Sequence, residues 1–375
     1  MAKIAIAIVT YNAMDRIDQC LRSLSESLQA FSSDPGEGQL NDLVTNPVKC
    51  SVFVQANLQV EVGIWDNGTD GTGGWAQANY PQFKVFSDGA NIGFNAANNK
   101  LYDKLRPEKY LVLLNDDTVV DPAWLGELVA AAEGDPHVMI VQSQLRLLPE
   151  KDRLNSWGNN IHFLGYGYTG GHKTRVSDAG LRLSGLPEIG YASGAAMLVK
   201  VALLKQTPLF DDSFFMYHED LDLGWRARLL GYKTVLAPKS VVYHKYSFKK
   251  SLAKFFYMER NRFIVMLKNY HWLTLLAILP MLVFMEAGTF GYSLFTGWYQ
   301  EKLKVYKYLL TPSSWRKILA DRALIQSSRR VSDSNVTRVF VGDVAFQDLQ
   351  NPVLTYIVNP LTRIYWFCLK LIMFW

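Results

Sequence analysis

Cysteine is scarce in this sequence and follows no pairing pattern. Cys20, Cys50 and Cys368 are the three cysteines among 375 residues, and they lie far apart without the paired spacing of a zinc site. A disulfide scaffold is therefore excluded, and we expect free thiols in a reducing compartment. The N-terminal segment also lacks the long apolar core of a secretory signal, because its short apolar run leads into a turn at Asn12. These absences predict a cytoplasmic location.

Several signatures of nucleotide and nucleic-acid chemistry are absent as well. The first apolar run has no G-x-G-x-x-G loop, which excludes the dinucleotide-binding fingerprint. Residues 6–14 contain neither the glycine-rich loop nor the basic residue expected of a nucleotidyltransferase. The basic part of the chain is interleaved with a long apolar run instead of exposed stacking aromatics, so no nucleic-acid partner is expected.

Charge is distributed unevenly along a chain that is otherwise rich in core-forming residues. Hydrophobic residues make up 49% and aromatic residues 13%, which excludes global disorder and suits one large or two modest domains. Residues 1–244 carry 21 Lys and Arg against 27 Asp and Glu, whereas residues 245–338 carry 16 against 5. The basic segment indicates either a solvated surface or contact with an anionic surface or substrate.

Short β-type runs alternate with amphipathic helical stretches over the first 244 residues. Buried strands are predicted at residues 4–9, 60–65, 110–114, 139–142 and 195–199. This alternation predicts an α/β fold with a mostly parallel sheet covered on both faces. Ligands bind at the carboxyl ends of such strands, so the polar residues there mark the expected site. Residues 32–57 are polar and predict an inserted loop.

After residue 244 the chain becomes apolar and helical. Glu286 is the one charged residue between Lys268 and Glu301, and Pro280 interrupts the apolar run at 272–285. We interpret this run as a monotopic or re-entrant element, or a kinked helical hairpin, instead of a membrane span. Residues 353–375 place a narrow polar stripe on an otherwise apolar helix, which favours an interfacial helix over one buried in the core or in a dimer interface.

Two acidic clusters carry the first chemical signal. Asn115, Asp116 and Asp117 follow a predicted buried strand, where adjacent carboxylates repel each other unless a cation such as Mg²⁺ or Mn²⁺ compensates. A surface turn would also accommodate them. Glu219 and Asp220 begin an apolar helical pattern, where the helix dipole favours ionised carboxylates. One of them is a candidate general base, and helix capping is the alternative.

A third cluster is rich in glycine and asparagine. Residues 88–99 include Gly93 and the amide side chains of Asn91 and Asn95. Glycine permits close backbone approach, and asparagine supplies neutral donors and acceptors suited to sugar hydroxyls or a diphosphate. A simple turn would explain one asparagine but not four. The cluster therefore predicts part of a sugar-donor site.

Five motifs in order resemble glycosyltransferase family 2, and within it the rhamnosyltransferase-like enzymes. They are Ile8–Asn12, Trp65–Gly71, Asn91–Phe94, Asn115–Asp117 and His218–Asp220. The resemblance covers residues 3–263 and implies a GT-A (Rossmann-like) nucleotide-sugar-binding domain that transfers sugars with inversion. It further implies site residues: for the donor Thr10, Tyr11, Asn12, Asp66, Asn91, Gly93, Phe94, Asn95, Asn115 and Asp116; for the metal Asp117 and His244; for catalysis Asp220 with Glu219 beside it.

The resulting prediction is an inverting, metal-dependent hexosyltransferase at a membrane surface. Residues 1–263 would form the GT-A catalytic domain and residues 264–375 a helical, membrane-associated region. The expected partners are a dTDP- or UDP-linked sugar, with dTDP-rhamnose favoured, a lipid-linked glycan acceptor and Mg²⁺ or Mn²⁺. UDP-galactofuranose, UDP-GlcNAc and UDP-galactose stay open as donors, as do a homo-oligomer and a non-catalytic glycan-binding scaffold. The expected location is the cytoplasmic face of the cell membrane, peripheral or monotopic.

Overall fold

The computed structural model describes residues 2–32, 58–183, 185–246, 252–345 and 352–375 of the chain. The predicted loop at residues 32–57 falls almost wholly outside this part. The strands of the described part of the chain are β1 Ala2–Thr10, β2 Leu58–Asp66, β3 Lys84–Phe86, β4 Tyr110–Asn115, β5 Thr118–Val120, β6 Val138–Leu147, β7 Leu154–Ser156, β8 Asn159–Ile161, β9 Gly167–Thr169, β10 Ala196–Lys200 and β11 Lys233–His244. Its α-helices are α1 Ile17–Ser32, α2 Thr72–Asn79, α3 Phe94–Leu105, α4 Trp124–Glu133, α5 Val201–Leu204, α6 Glu219–Leu229, α7 Leu252–Asn269, α8 Trp272–Thr296, α9 Tyr299–Leu310, α10 Pro312–Ser328, α11 Asp333–Val336 and α12 Asn359–Ile372.

The central sheet has the order β3-β2-β1-β4-β10-β6-β11-β5, with β7 beside β6. Strands β3, β2, β1 and β4 are parallel to one another, and β6 is parallel to β11. The prediction of a mostly parallel sheet is wrong, because the sheet is mixed: β10 runs antiparallel to both β4 and β6, β5 runs antiparallel to β11, and β7 runs antiparallel to β6. The reason is that β10 follows a long segment without a helical crossover, whereas helices α1 and α3 lead into parallel strands.

Two apolar layers cover the sheet. Strand β1 is almost continuously apolar because both of its faces are buried, as expected for the centre of a parallel sheet. One layer includes Ile6 and Trp124, and the other includes Ala7 and Leu113. Helix α1 buries Ile17, in keeping with the predicted helical spacing. The strand ends are thereby fixed at one edge of a rigid sheet.

A third core joins the C-terminal helices to the α/β half of the molecule. Trp225 of α6 contacts the rings of Tyr270 and Phe340 edge-on, with centroids 4.5 and 4.7 Å away. Phe163 stacks on Trp366 of α12 at 4.8 Å. The C-terminal helices are therefore packed against the α/β half through large aromatic side chains.

The apolar run after residue 272 forms one helix, not a hairpin. Helix α8 continues for 25 residues through Pro280, and it is the one helix among the described residues that is long and apolar enough to cross a membrane. A proline inside a helix removes one hydrogen bond but does not end the helix when packing holds both halves. At the C-terminus a π-helical turn at Leu354–Val358 leads into α12.

A buried charge cluster fastens α7, α8 and α9 together. Lys302 of α9 lies 2.6 Å from Glu259 and 2.7 Å from Glu286, and Arg262 of α7 pairs with both carboxylates. Tyr306 donates a hydrogen bond to Glu286. Two cations thus neutralise two carboxylates, which is how buried charges are tolerated in a protein interior.

Candidate active site

The predicted donor-binding residues meet at the carboxyl edge of β1, β2 and β4. The strand register pairs Thr10 at the end of β1 with Asp66 at the end of β2. It also pairs Val9 with Asn115 at the end of β4. Three chain segments therefore leave the sheet at one place, which is where α/β folds bind ligands.

Side-chain caps tie together the turns that follow β1 and β2. Asn12 has a left-handed φ of 47°, and its Oδ1 accepts the Thr69 amide at 2.9 Å. Asp66 accepts the backbone amides of Gly68 and Gly73, each at 2.8 Å. A Cβ at position 73 would lie 2.5 Å from the Asp66 carboxylate, so glycine is required there. Asp66 is thus held rigidly at the strand edge.

Arg16 links the first turn to Asp116, and sequence reasoning missed it. Its guanidinium is bidentate on Asp116, with N–O distances of 3.1 and 3.2 Å. It also donates to the carbonyls of Tyr11 and Asn12. The Tyr11 ring itself is 53% exposed and faces solvent beside this turn. Burial raises the pKa of Asp116, although the hydrogen bonds and charge of Arg16 oppose that effect.

The glycine-asparagine cluster forms the entry to helix α3. Gly93 has a φ of 87°, and a Cβ there would lie 2.6 Å from the Phe215 ring. Asn91 caps the turn by accepting the Gly93 amide at 2.9 Å. Asn95 is fully buried; its Nδ2 donates to the Asp211 carbonyl, whereas its Oδ1 has no partner among the described residues. A buried amide oxygen without a donor is rare in folded proteins, and a bound water or a ligand atom would satisfy it.

Phe94 connects this cluster to the loop that precedes α6. Its backbone amide donates to the Phe215 carbonyl at 2.8 Å, and its ring packs at a tilt against Phe210 with centroids 6.1 Å apart. The Asn91–Asn95 segment and the Phe215 loop therefore form one continuous wall.

Asp117 and His244 face each other across two strands. His244 ends β11 and pairs in register with Thr118 of β5, which places His244 Nε2 3.2 Å from Asp117 Oδ1. The other ring nitrogen, Nδ1, lies 2.9 Å from Oδ1 of Asn155, which fixes the ring. Asn155 lies in β7, and no sequence motif pointed to it.

The Asp117–His244 pair fits a hard divalent cation. Asp117 Oδ1 is buried and makes no aligned hydrogen bond, although the imidazole nitrogen is near. Burial alone would raise the pKa of Asp117, but contact with His244 and the charge of Arg16 outweigh it and lower that pKa. An ionised oxygen and an imidazole nitrogen held by a hydrogen bond on its far side are typical metal ligands. Among the described residues no group of three or more His, Cys, Asp or Glu side chains surrounds a common point, so substrate phosphates would have to supply the remaining ligands.

Glu219 and Asp220 lie together at the N-terminus of α6. Asp220 accepts the amides of Gly194 at 3.2 Å and of Leu221 at 2.8 Å, and no cation pairs with it within the described residues. Burial raises its pKa to about 6. Burial and the charge of Asp220 raise the pKa of Glu219 well above its ordinary value, and Glu219 Oε2 has no hydrogen-bond partner in the same part of the chain. The pair is therefore suited to accept a proton near neutral pH.

One short segment connects the two acidic clusters. Gly194 donates to Asp220, and the next residue, Ala195, accepts the amide of Asn115 at 2.9 Å. The candidate base is thus anchored one residue away from the strand end that presents Asp116 and Asp117. The structure brings the predicted site residues into one region.

Comparison with known proteins is consistent with this geometry. The family described as "Glycosyltransferase like family 2" matches residues 37–263, more than half of the chain. In two strains of Mycobacterium tuberculosis, N-acetylglucosaminyl-diphospho-decaprenol L-rhamnosyltransferase is 28% identical over 213 residues, which cover 52% of this chain and 69% of that protein.

Similarity to solved structures extends to the fold. The structure of GalNAc-T7 with UDP, GalNAc and Mn²⁺ superposes with a TM-score of 0.51 at 13% identity. The match covers 71% of this chain and spans about half, 48%, of that protein. S. aureus TarS 1–349 in complex with UDP-GlcNAc has a TM-score of 0.46 at 13% identity, covering 96% of this chain and 88% of that one.

Proposed function

The chain belongs to glycosyltransferase family 2 and has the GT-A fold, and from that premise we propose an inverting transfer of rhamnose from dTDP-rhamnose to a lipid-linked glycan. The observation that carries this proposal is the pairing of two unlike carboxylates in one site. Asp117 is ionised and faces His244, whereas Asp220 has a pKa of about 6 and no cationic partner among the described residues. The first suits a diphosphate-bound cation and the second suits a base.

The donor would occupy the edge of β1, β2 and β4. Asp66 and the turn at Asn12 would bind the nucleobase, with Thr10 and Tyr11 beside it. Asn115 and Asp116 would border the ribose and sugar, and the wall Asn91–Asn95 would enclose the sugar. The buried Asn95 Oδ1 without a donor supports this assignment.

Asp117 and His244 would hold the Mg²⁺ or Mn²⁺, with His244 oriented by Asn155. When bound, the cation supplies Lewis-acid stabilisation of the negative charge on the leaving diphosphate. The structural relative GalNAc-T7, crystallised with Mn²⁺, supports this assignment for the fold.

The transfer would proceed as one in-line displacement. An acceptor hydroxyl gives its proton to Asp220, and its oxygen forms a bond to the anomeric carbon. The bond from that carbon to the diphosphate oxygen breaks on the opposite face, and the configuration inverts. Asp220 is positioned for this role because the amides of Gly194 and Leu221 fix its carboxylate at the start of α6. Glu219 would keep its proton and stay neutral beside it.

The choice of sugar and acceptor rests on the mycobacterial relative. That protein is named for transfer of L-rhamnose to N-acetylglucosaminyl-diphospho-decaprenol. By analogy this chain would use dTDP-rhamnose and a diphosphate-linked glycan during cell-surface polysaccharide synthesis. UDP-galactofuranose, UDP-GlcNAc and UDP-galactose are the competing donors.

The acceptor would be reached at the cytoplasmic face of the membrane through an apolar face, defined as the exposed apolar side chains of α8 and α12. The two helices are joined by Tyr365, whose hydroxyl donates to the Ala277 carbonyl. On α8 this face includes Leu276 and Phe295, which are 67% and 92% exposed. On α12 it includes Leu371, 70% exposed. The basic segment, residues 245–338, includes α8, and its exposed cations would complement anionic headgroups.

We infer that α8 lies along the bilayer surface and does not cross it. Its buried side begins at Thr274 and ends at Ser293, so protein covers one side of the helix from the first turn to the last. A helix crossing the bilayer alone would be surrounded by lipid instead. A monotopic arrangement thus suits residues 264–375 as the membrane-associated region and residues 1–263 as the catalytic domain, with α7 crossing that boundary.

Calorimetric nucleotide binding tests the donor site. UDP and dTDP are titrated with and without Mn²⁺ into the wild type and Asp117→Ala, and dTDP-rhamnose turnover is measured in parallel. Metal-dependent binding that the variant loses, with tighter dTDP binding, is the expected result. A folded protein that binds neither nucleotide would refute the transferase proposal and favour a glycan-binding scaffold.

Sedimentation with anionic vesicles tests the membrane location. Leu276→Glu and Leu371→Glu place charges on the apolar face and should release the protein from the pellet. Leu186→Glu is the matched control, because Leu186 is 40% exposed and lies in the catalytic half. Equal sedimentation of all variants would contradict the proposed surface.

A further inference from the structure

The loop before the candidate base is strained. Phe215, Tyr217 and His218 have φ values of 64°, 69° and 68°, in the left-handed region that residues with a Cβ avoid. Such a run persists only where surrounding contacts hold it, and strain of this kind gathers at functional sites. The run ends directly at Glu219 and Asp220, so the loop conformation sets where the candidate base begins.

One side chain of α7, the helix that leads into the helical region, donates to the carbonyls of this loop. Asn261 of α7 is fully buried, and its Nδ2 lies 3.1 Å from the Phe214 oxygen, 2.9 Å from the Met216 oxygen and 2.8 Å from the Tyr217 oxygen. An amide nitrogen has two hydrogens, so three carbonyls share them. The Phe214 oxygen also accepts the Met216 amide at 2.7 Å, so the Met216 and Tyr217 oxygens are the two that depend most on Asn261.

The neighbouring residue strengthens the same contact. Arg260 donates through Nη2 to the Ser213 oxygen at 2.6 Å and to the Phe214 oxygen at 3.1 Å. Its Nε donates to Oδ1 of Asn261 at 3.0 Å, which fixes the orientation of the amide. We call Arg260 and Asn261 together the α7 clamp.

The loop also reaches the donor side of the site. The Phe215 carbonyl accepts the Phe94 amide, and the Phe215 ring stacks on Tyr257 of α7 with centroids 5.2 Å apart. The α7 clamp therefore holds a loop that has the sugar wall at one end and the candidate base at the other.

We propose that Asn261 is a positioning residue for glycosyl transfer, which holds the Phe215–His218 loop so that Asp220 meets the acceptor hydroxyl. This inference rests on the proposed function, because it assigns Asp220 as the base. Helix α7, which crosses from the catalytic domain into the helical region, then has a positioning role in catalysis besides any contact with membrane. Asparagine suits this position because alanine would remove the side-chain donor from the Met216 and Tyr217 carbonyls, and aspartate would set a carboxylate against them.

Loss of the α7 clamp should change the pH dependence of activity, because the pKa of Asp220 depends on its surroundings. Two titratable groups face Asp220: Glu219 on its own helix, and Tyr191 from the segment leading to β10. No cation pairs with it within the described residues, and burial is the main cause of its pKa of about 6. We attribute part of that burial to the loop, which directly precedes α6. If the loop relaxes, water reaches the carboxylate and that pKa falls towards the ordinary value of about 3.9.

The variant Asn261→Ala tests the proposal, and Asn269→Ala is its matched control. Asn269 is also fully buried in α7 and donates to Asp222 at 2.9 Å, but it does not touch the loop. We expect Asn261→Ala to lower kcat roughly 10- to 100-fold, as for other losses of substrate alignment. The KM for the donor should change far less, and the acid limb of kcat/KM should move to lower pH. Hydrogen–deuterium exchange of residues 213–222 should accelerate in Asn261→Ala only.

Arg260→Met serves if Asn261→Ala does not fold, because Arg260 is only partly buried and should tolerate replacement. Arg260→Met should show smaller changes of the same kind in kcat, in the acid limb of kcat/KM and in loop exchange. Two results would overturn the positioning role while leaving the transferase proposal intact. One is a wild-type kcat in Asn261→Ala. The other is a loss of kcat that Asn269→Ala reproduces and that comes with neither a pH shift nor faster loop exchange. A wild-type protein that binds no nucleotide would refute the transferase itself, and the exchange comparison would still decide whether the clamp holds the loop.

Discussion

Two pairs of adjacent acids lie in the same site, and their surroundings differ. Asp116 and Asp117 have cationic or hydrogen-bonding neighbours, since Arg16 is bidentate on the first and His244 faces the second. Glu219 and Asp220 are enclosed to a similar degree without any cation among the described residues. The pKa of Asp117 is lowered, whereas burial raises those of Asp116, Glu219 and Asp220.

The difference teaches how one residue type can serve two tasks. A carboxylate that stays ionised when buried attracts a cation, because its charge is partly uncompensated. A carboxylate whose pKa lies near neutrality exchanges protons readily. The surroundings, and not the acidic residues alone, therefore distinguish the proposed metal site from the proposed base.

The largest expected effect comes from Asp220→Asn, which removes the proton acceptor and keeps the side-chain shape. Turnover should fall roughly 100- to 10,000-fold, with nucleotide binding unchanged by calorimetry. Asp178→Asn, at an exposed acid in the catalytic half, should behave as wild type. Turnover of Asp220→Asn near the wild-type level would show that the base lies elsewhere.

Asp117→Ala should come next, because it removes the ionised oxygen that faces His244. Transfer should fall about 100-fold or more, since the loss of charge stabilisation on the leaving group is worth several kcal/mol. Unlike Asp220→Asn, this variant should also lose the Mn²⁺ dependence of nucleotide binding. If both variants lost metal-dependent nucleotide binding equally, the assignment of metal binding to one acidic pair and of base catalysis to the other would be wrong.

Asn155→Ala should have a smaller effect on the same site. Without Oδ1 of Asn155, the imidazole of His244 loses the partner that fixes it. Mn²⁺ affinity measured through nucleotide binding should weaken about 10- to 100-fold. The control is Asn160→Ala, at a partly buried asparagine of β8 that is not bonded to His244. Unchanged Mn²⁺ affinity would mean that the ring is held by other contacts.

The smallest effect is a pH dependence that belongs to Asp220 alone. A base must be deprotonated, so kcat/KM should be level above its pKa of about 6 and fall as pH decreases through it. The slope should be about tenfold per pH unit. The residual activity of Asp220→Asn should lack this limb, whereas Asn155→Ala should keep it. A limb that survives in Asp220→Asn would assign the titration to another group.

The sequence indicated the catalytic half well because its signals are local. Parallel strands end at one edge, so Thr10, Asp66 and Asn115 could be placed together from their positions after apolar runs. The membership in family 2 and the GT-A fold that those motifs implied is confirmed. The roles of the individual site residues stay predictions.

Other features could not be predicted because they depend on tertiary contacts. Arg16, Asn155 and Asn261 act on partners about 100, 90 and 45 residues away, and no motif marks such pairs. The antiparallel β10 and the unbroken helix through Pro280 were likewise invisible to local patterns, because neighbouring elements decide strand direction and helix continuity.

The buried cluster around Glu286 has a consequence for the order of events during biosynthesis. Its partners lie on both sides in the chain: Arg262 in α7 is synthesised before Glu286, and Lys302 in α9 after it. Until Lys302 is synthesised, Glu259 and Glu286 share Arg262 alone, so one of these two carboxylates lacks a cation, which is expensive in hydrocarbon. Under the proposed membrane association, we expect the chain to complete its helical region in water before it attaches to the bilayer.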